Sequence, residues 1–241
     1  MLGAARTGAW AKSGSPTPAA YGGLRFTAEA DNSTVQLTAV GSAPAATLVK
    51  SFDGVNWEDY AVGEVIELPS IGDFVYLAAG EGGNETFASS NSIYNQFVIN
   101  GLVAASGDIT SLRRFDLIQT PLANYCYNSM FHGCTGLTSA PELPATTLAN
   151  YCYRNMFYGC TGLTSAPELP ATTLVASCYM NMFYGCTKLS LIKVHFTAWG
   201  SQTTKWISNV SPTGTFCKPR VLTEEYGDDK IPTGWTVVDI D

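Results

Sequence analysis

Leu148-Ala-Asn-Tyr-Cys-Tyr-Arg-Asn-Met-Phe-Tyr-Gly-Cys-Thr-Gly-Leu-Thr-Ser-Ala-Pro-Glu-Leu-Pro-Ala-Thr-Thr173 repeats the 26 residues from Leu122 to Thr147 almost letter for letter. Only three positions differ, Asn128 against Arg154, Ser129 against Asn155 and His132 against Tyr158. A third, divergent copy begins at Leu174 and keeps Cys178-Tyr-Met-Asn-Met-Phe-Tyr-Gly-Cys-Thr-Lys-Leu189. A degenerate leading copy ends at Asp116-Leu117, in register with Glu142-Leu143. A period of this length implies a solenoid, in which each unit buries its apolar side only against its neighbours.

Each unit divides in two. Leu148, Tyr151, Cys152 and Met156 are spaced by three and four, which predicts about two turns of helix, stopped by Gly159. Leu163 to Pro170 is short and proline-bounded and predicts one extended rung per coil. In the third copy this rung becomes Leu189 to Phe196, where Ile192, Val194 and Phe196 alternate with Lys193 and His195 as in a half-buried strand.

The flanks read differently. Between residues 22 and 108 lie short alternating runs, among them Thr34 to Thr38, Phe74 to Leu77 and Gln96 to Ile99, with hairpin signals at Asp53-Gly54 and Asn100-Gly101. About seven strands in such a span predict an immunoglobulin-like β-sandwich. Residues 197–241 do not repeat and carry Trp199, Trp206, Phe216 and Trp235, which suits a cap over an open end. Residues 1–21 are rich in Gly, Ala, Ser and Pro. Arg6 and Lys12 interrupt any apolar run there, so no secretory signal is expected. Trp10 between these cations makes the segment a candidate docking peptide, because a free tail gains nothing from a large apolar ring.

Composition narrows the function. Charged residues are 14 % of the chain, against about a quarter in ordinary proteins, and the net charge is -7 with 13 Lys and Arg. That argues against a general grip on nucleic acid, and the apolar runs are too short for membrane insertion. Neither His132 nor His195 sits in a nucleophile motif, and there is no phosphate loop. Ser51 to Trp57 loosely resembles an Asp-box hairpin, which is a structural turn. No enzyme activity, cofactor or metal is expected.

The repeat aligns several columns of candidate residues. Cys126, Cys152 and Cys178 form one and Cys134, Cys160 and Cys186 another, with Cys217 left over. No CxxC pair is present, so a ladder of small buried thiols is the expectation. Asp116, Glu142 and Glu168 form a column that reads as a solvated acidic edge or as a site for a cation or basic ligand. Tyr127, Tyr153 and Tyr179 form a third, and His132, Tyr158 and Tyr184 a fourth. Stacked aromatic rings serve carbohydrate or protein ligands when exposed, or pack coil on coil when buried. The three varying positions lie beside the fourth column, which points to that face as surface.

The run Met156-Phe-Tyr-Gly-Cys-Thr-Gly-Leu-Thr-Ser-Ala166 resembles the pattern Ala-Phe-x-x-Cys-x-x-Leu-x-x-Ile of BspA-like leucine-rich repeats. The stretches Trp206 to Phe216 and Ile231 to Val237 are similar to the closing segments of such proteins from gut bacteria and their phages. The leader is similar to those preceding lectin-like modules in phage-tail-associated proteins. The expected fold class is therefore mixed α and β: an Ig-like sandwich over 22–108, a leucine-rich-repeat solenoid over 109–196 and a cap over 197–241, behind the leader 1–21. The resemblance implies adhesion or recognition. The chain would be a phage or prophage virion protein that docks on virion partners through Arg6, Trp10 and Lys12 and binds a host-surface glycan or protein. A bacterial cell-surface adhesin and a structural spacer are the alternatives. A homo-oligomer is compatible with this reading, although no heptad pattern specifies one.

Overall fold

The computed structural model describes residues 22–240. Thirteen strands follow in chain order: β1 (Arg25–Ala28), β2 (Ser33–Val40), β3 (Leu48–Ser51), β4 (Glu58–Tyr60), β5 (Val65–Leu68), β6 (Phe74–Ala79), β7 (Ala88–Ser90), β8 (Ile93–Asn100), β9 (Val103–Ser106), β10 (Leu137–Ser139), β11 (Leu191–Lys193), β12 (Thr215–Lys218) and β13 (Thr236–Asp239). Among the described residues the only helical pieces are two 3-10 turns, Ile109–Leu112 and Ser201–Thr203. The expected mixed class is thus corrected: the molecule is nearly all β, and the leucine-rich-repeat solenoid of helix and strand is not what these residues build.

The first ten strands fall in two sheets, β10-β9-β1-β6-β3-β4 and β5-β2-β8-β7. Strand alternation turns Val35 and Leu37 of β2 and Phe97 and Ile99 of β8 into the core. Phe26 of β1 meets Phe97 edge-on across the two sheets, with ring centroids 4.9 Å apart. The strand order is not the immunoglobulin one. There the first two strands pair within one sheet, whereas here β1 and β2 lie in different sheets. The hairpin signal Asp53-Gly54 does join the paired strands β3 and β4. Asn100-Gly101 instead carries the chain from one sheet to the other, with Gly101 in the left-handed region at φ 78°.

The segment expected to be helical is a ribbon of consecutive turns. The amides of Cys126, Asn128, Met130, His132 and Cys134 donate three residues back and close the turns. The alternate amides of Tyr125, Tyr127, Ser129, Phe131 and Gly133 donate to the carbonyls of Asn150, Cys152, Arg154, Met156 and Tyr158 in the next repeat, at 2.7–3.0 Å. The second repeat does the same to the third, through Tyr151, Tyr153, Asn155, Phe157 and Gly159. A helix would consume every amide internally. This ribbon keeps half of them for its neighbour, which is what lets one coil stack on the next.

The ribbon requires a left-handed residue at every fourth position: Tyr125, Ser129 and Gly133, then Tyr151, Asn155 and Gly159, then Ser177, Asn181 and Gly185. Such a residue costs about 1–2 kcal/mol when it is not glycine. Gly and Asn tolerate that region best and fill much of two of the three columns. In the second repeat buried residues come in pairs four apart, Cys152 and Tyr153, Met156 and Phe157, then Cys160. Over nine residues a period of four is hard to tell from 3.6, and this explains the mistaken helix.

The repeats are continuous with both flanks. At the N-terminal side Phe87 and Phe97 donate their amides to Cys126 and Met130, and β10 pairs in parallel with β9. Gly136 is buried at this seam, where a Cβ would stand 2.0 Å from the Gly101 carbonyl oxygen. At the C-terminal side Tyr179, Asn181, Phe183 and Gly185 donate to Gln202, Thr204, Trp206 and Ser208. Lys205 and Asn209 there adopt φ 52° and 60°, so residues 201–209 form another turn of the same ribbon in unrelated sequence. Opposite the ribbon, β11, β12 and β13 form a parallel sheet. The Pro-Glu-Leu-Pro rungs contribute only isolated bridges, such as Leu169 with Val194, because proline has no amide to give.

Candidate functional site

The stacking register turns each sequence column into a physical ladder. Phe131, Phe157 and Phe183 are fully buried and nearly parallel, with centroids 5.4 and 5.6 Å apart. Tyr127, Tyr153 and Tyr179 form a second ladder at 5.8 and 6.2 Å, again with at most 1 % exposure. Of the two readings open for these tyrosines, burial selects packing: no ligand can reach their rings. The Tyr127 hydroxyl donates to the Ile109 carbonyl at 3.4 Å, whereas the buried Tyr153 hydroxyl has no partner. Burial pushes all three phenols well above their usual pKa.

His132, Tyr158 and Tyr184 are half-buried at the edge of the stack. Their rings are parallel to within 8°, with spacings of 4.9 and 4.8 Å. Among the described residues the Tyr158 and Tyr184 hydroxyls make no internal hydrogen bond, so water or a ligand must satisfy them. Partial burial pushes the His132 imidazole below its usual pKa, which keeps it uncharged at neutral pH. A further ladder was not anticipated: the half-buried rings of Tyr125 and Tyr151 stack at 4.6 Å and 4°. Both residues sit within the repeat, so the period carries the signal, but helical spacing groups Tyr151 with Leu148 and Met156 and hides its stacking on Tyr125. Between the two ladders runs an amide column, in which the Asn181 side chain donates to that of Asn155 at 3.0 Å.

The acidic column does not assemble. Asp108, not Asp116, bridges to Glu142 across the rungs. Asp116 lies in a separate turn, paired with Arg114 at 2.8 Å. Glu168 bonds Lys193 at 2.9 Å and His195 at 2.6 Å. Hydrogen bonds from Lys193 and His195 hold its carboxyl below the usual pKa range. The three carboxylates therefore form no shared cation site, and the described residues contain no group of three or more His, Cys, Asp or Glu placed to hold a metal.

The cysteine columns lie inside the stack. Cys126, Cys134, Cys152, Cys160, Cys178 and Cys186 are all free and at most 2 % exposed. The Sγ atoms of Cys134, Cys160 and Cys186 donate to the Phe97, Phe131 and Phe157 carbonyls at 3.0–3.1 Å. Burial pushes the Cys134 and Cys186 thiols up to about 12. In the β3–β4 hairpin, Asp53 accepts the Val55 and Asn56 amides at 2.8 and 2.7 Å. These bonds hold its carboxyl far below the usual range and make the Asp-box-like motif a turn lock.

Arg6, Trp10 and Lys12 lie outside the described residues. No helix among the described residues is long and apolar enough to cross a membrane. Comparison with protein-family models, with curated proteins and with solved structures returned no match.

Proposed function

We propose that this chain is a non-enzymatic recognition module whose ligand-binding surface is the outer face of the turn ribbon. One observation carries the reading. His132, Tyr158 and Tyr184 present ring edges, and the two tyrosines their hydroxyls, at a constant spacing on a scaffold tied to its neighbours by an amide at every second residue. A rigid row of half-exposed aromatic groups loses little entropy on binding, which is how such surfaces gain affinity for saccharides and proteins. The ligand in this reading is a host-surface glycan or protein, and the chain is a phage or prophage virion component attached through residues 1–21. The resemblance of the repeat to BspA-like adhesion proteins points the same way.

Whole-cell and glycan-array binding by the intact chain tests the assignment. Binding is expected, and the double substitution Tyr158→Ala with Tyr184→Ala should abolish it. Undiminished binding in that variant would overturn the choice of face. Mass spectrometry of purified particles tests the location, and Trp10→Ala should release the chain from them.

A further inference from the structure

We infer that the ribbon face carries an anion-reading subsite, formed by Arg154 with Tyr151 and Tyr125, that takes a carboxylate-bearing saccharide. This rests on the recognition reading and names the ligand class. Arg154 occupies one of the three positions that distinguish otherwise identical repeats, where its counterparts are Asn128 and Met180. Its guanidinium lies over the Tyr151 ring at 6.0 Å from the centroid, the outer edge of cation–π range, and no hydrogen bond among the described residues engages its Nη1 or Nη2. Its Nε is buried without a hydrogen-bond partner, and no ion pair among the described residues includes it.

The other arginines on the described surface are engaged. Arg113 donates to the Glu85, Thr120 and Pro121 carbonyls. Arg114 and Arg220 face Asp116 and Asp239. Arg25, whose Nε is also orphaned, lies 4.0 Å over the Phe74 ring. Arg154 alone combines an idle fork with the repeating face, in a chain whose net charge is -7. The buried Nε is closed to a ligand, so the Nη1 and Nη2 pair is what Arg154 offers, and a carboxylate takes that pair through two parallel N–H···O bonds.

Tyr125 covers one face of the Tyr151 ring. Ser177 follows in that column, so no third ring of the ladder covers the other face. Arg154 stands over that other face, so a pyranose whose carboxylate meets the guanidinium lies along the edges of the Tyr125 and Tyr151 rings. A uronic acid or a sialic acid supplies both features, and a neutral sugar supplies only the first.

The test uses the intact chain and paired probes: sialyllactose against lactose, and trigalacturonate against galactotriose, by isothermal titration. At least one acidic member is expected to bind about tenfold or more tighter than its neutral partner, with the preference shrinking as salt rises. Arg154→Asn, which copies the residue of the preceding repeat, should erase the preference. Equal binding of both members of each pair, or a preference that survives Arg154→Asn, overturns the inference. If those neutral and acidic sugars bind equally and Tyr158→Ala with Tyr184→Ala abolishes both, recognition stands and only the anion subsite falls. If no saccharide binds here or on an array, the glycan reading falls with it.

Discussion

The Tyr158 ring lies 4.8 Å from the Tyr184 ring at an angle of 6°, and both stay half-exposed. One residue earlier in each of the same coils, Phe157 and Phe183 also stack, at 5.6 Å, but are fully buried. Neighbouring residues of the same repeat thus serve surface and core.

This difference separates binding from stability. Tyr158→Ala with Tyr184→Ala should cost about 1–2 kcal/mol of unfolding free energy, from lost stacking and partial burial. Phe157→Ala alone should cost about 3–5 kcal/mol. Urea unfolding followed by circular dichroism distinguishes them. Comparable losses would mean the tyrosine ladder is core.

The left-handed column gives a graded series. Gly159 has φ 70°, and Asn209 holds a similar conformation at φ 60° two coils on. Gly159→Asn should be nearly neutral, whereas Gly159→Val should cost about 2 kcal/mol or more. A melting temperature for the Val variant equal to the wild type would contradict the ribbon geometry at this position.

Gly136 tests the seam between sandwich and repeats. No neighbouring side chain can move to admit a methyl group there, because the obstruction is the Gly101 carbonyl. Gly136→Ala should destabilise the chain by about 1–3 kcal/mol and expose the β9–β10 amides to faster hydrogen exchange. Unchanged exchange at Val103 to Ser106 would count against the parallel pairing of β9 with β10.

Thiol labelling reads the cysteine ladders. Burial raises the Cys126, Cys134 and Cys186 thiols to about 12 and Cys178 to about 11, so almost no thiolate exists at pH 8. Cys217 is only partly buried. Iodoacetamide should modify Cys217 alone in the native protein and all seven cysteines in guanidinium. Rapid native labelling of two or more thiols would rule out the buried columns.

The acid limb of stability should carry a small contribution from Glu168. Lys193 and His195 lower its folded pKa, so its stabilisation is present above the unfolded carboxylate pKa of 4.5 and is lost as pH falls through the lower folded value. Because the side chain is 50 % exposed, the effect is at most about 0.5–1 kcal/mol. Glu168→Gln should lower stability at pH 7 by that amount and leave it unchanged at pH 2. A larger loss at pH 2 than at pH 7 would contradict the ion pair.

The period, and with it the contents of each ladder, is written in the order of residues alone. A 26-residue copy that keeps Cys, Tyr, Met, Phe and Gly in place must set like on like once its coils stack, so the thiol and ring columns were readable from spacing alone. The alternation of β2, β6, β8 and β11 was readable for the same reason: strand periodicity is a property of neighbouring residues. Tertiary structure decided the rest. Whether Tyr127 or Tyr158 faces solvent depends on which side of the ribbon meets the sheets, and both are aromatic in the sequence. Helix or ribbon was decided by amide partners that lie one repeat away, which a nine-residue window does not contain. The extra ribbon turn at residues 201–209 and the parallel pairing of β9 with β10 left no sequence pattern, because backbone hydrogen bonds hold them and such bonds ask little of side-chain identity.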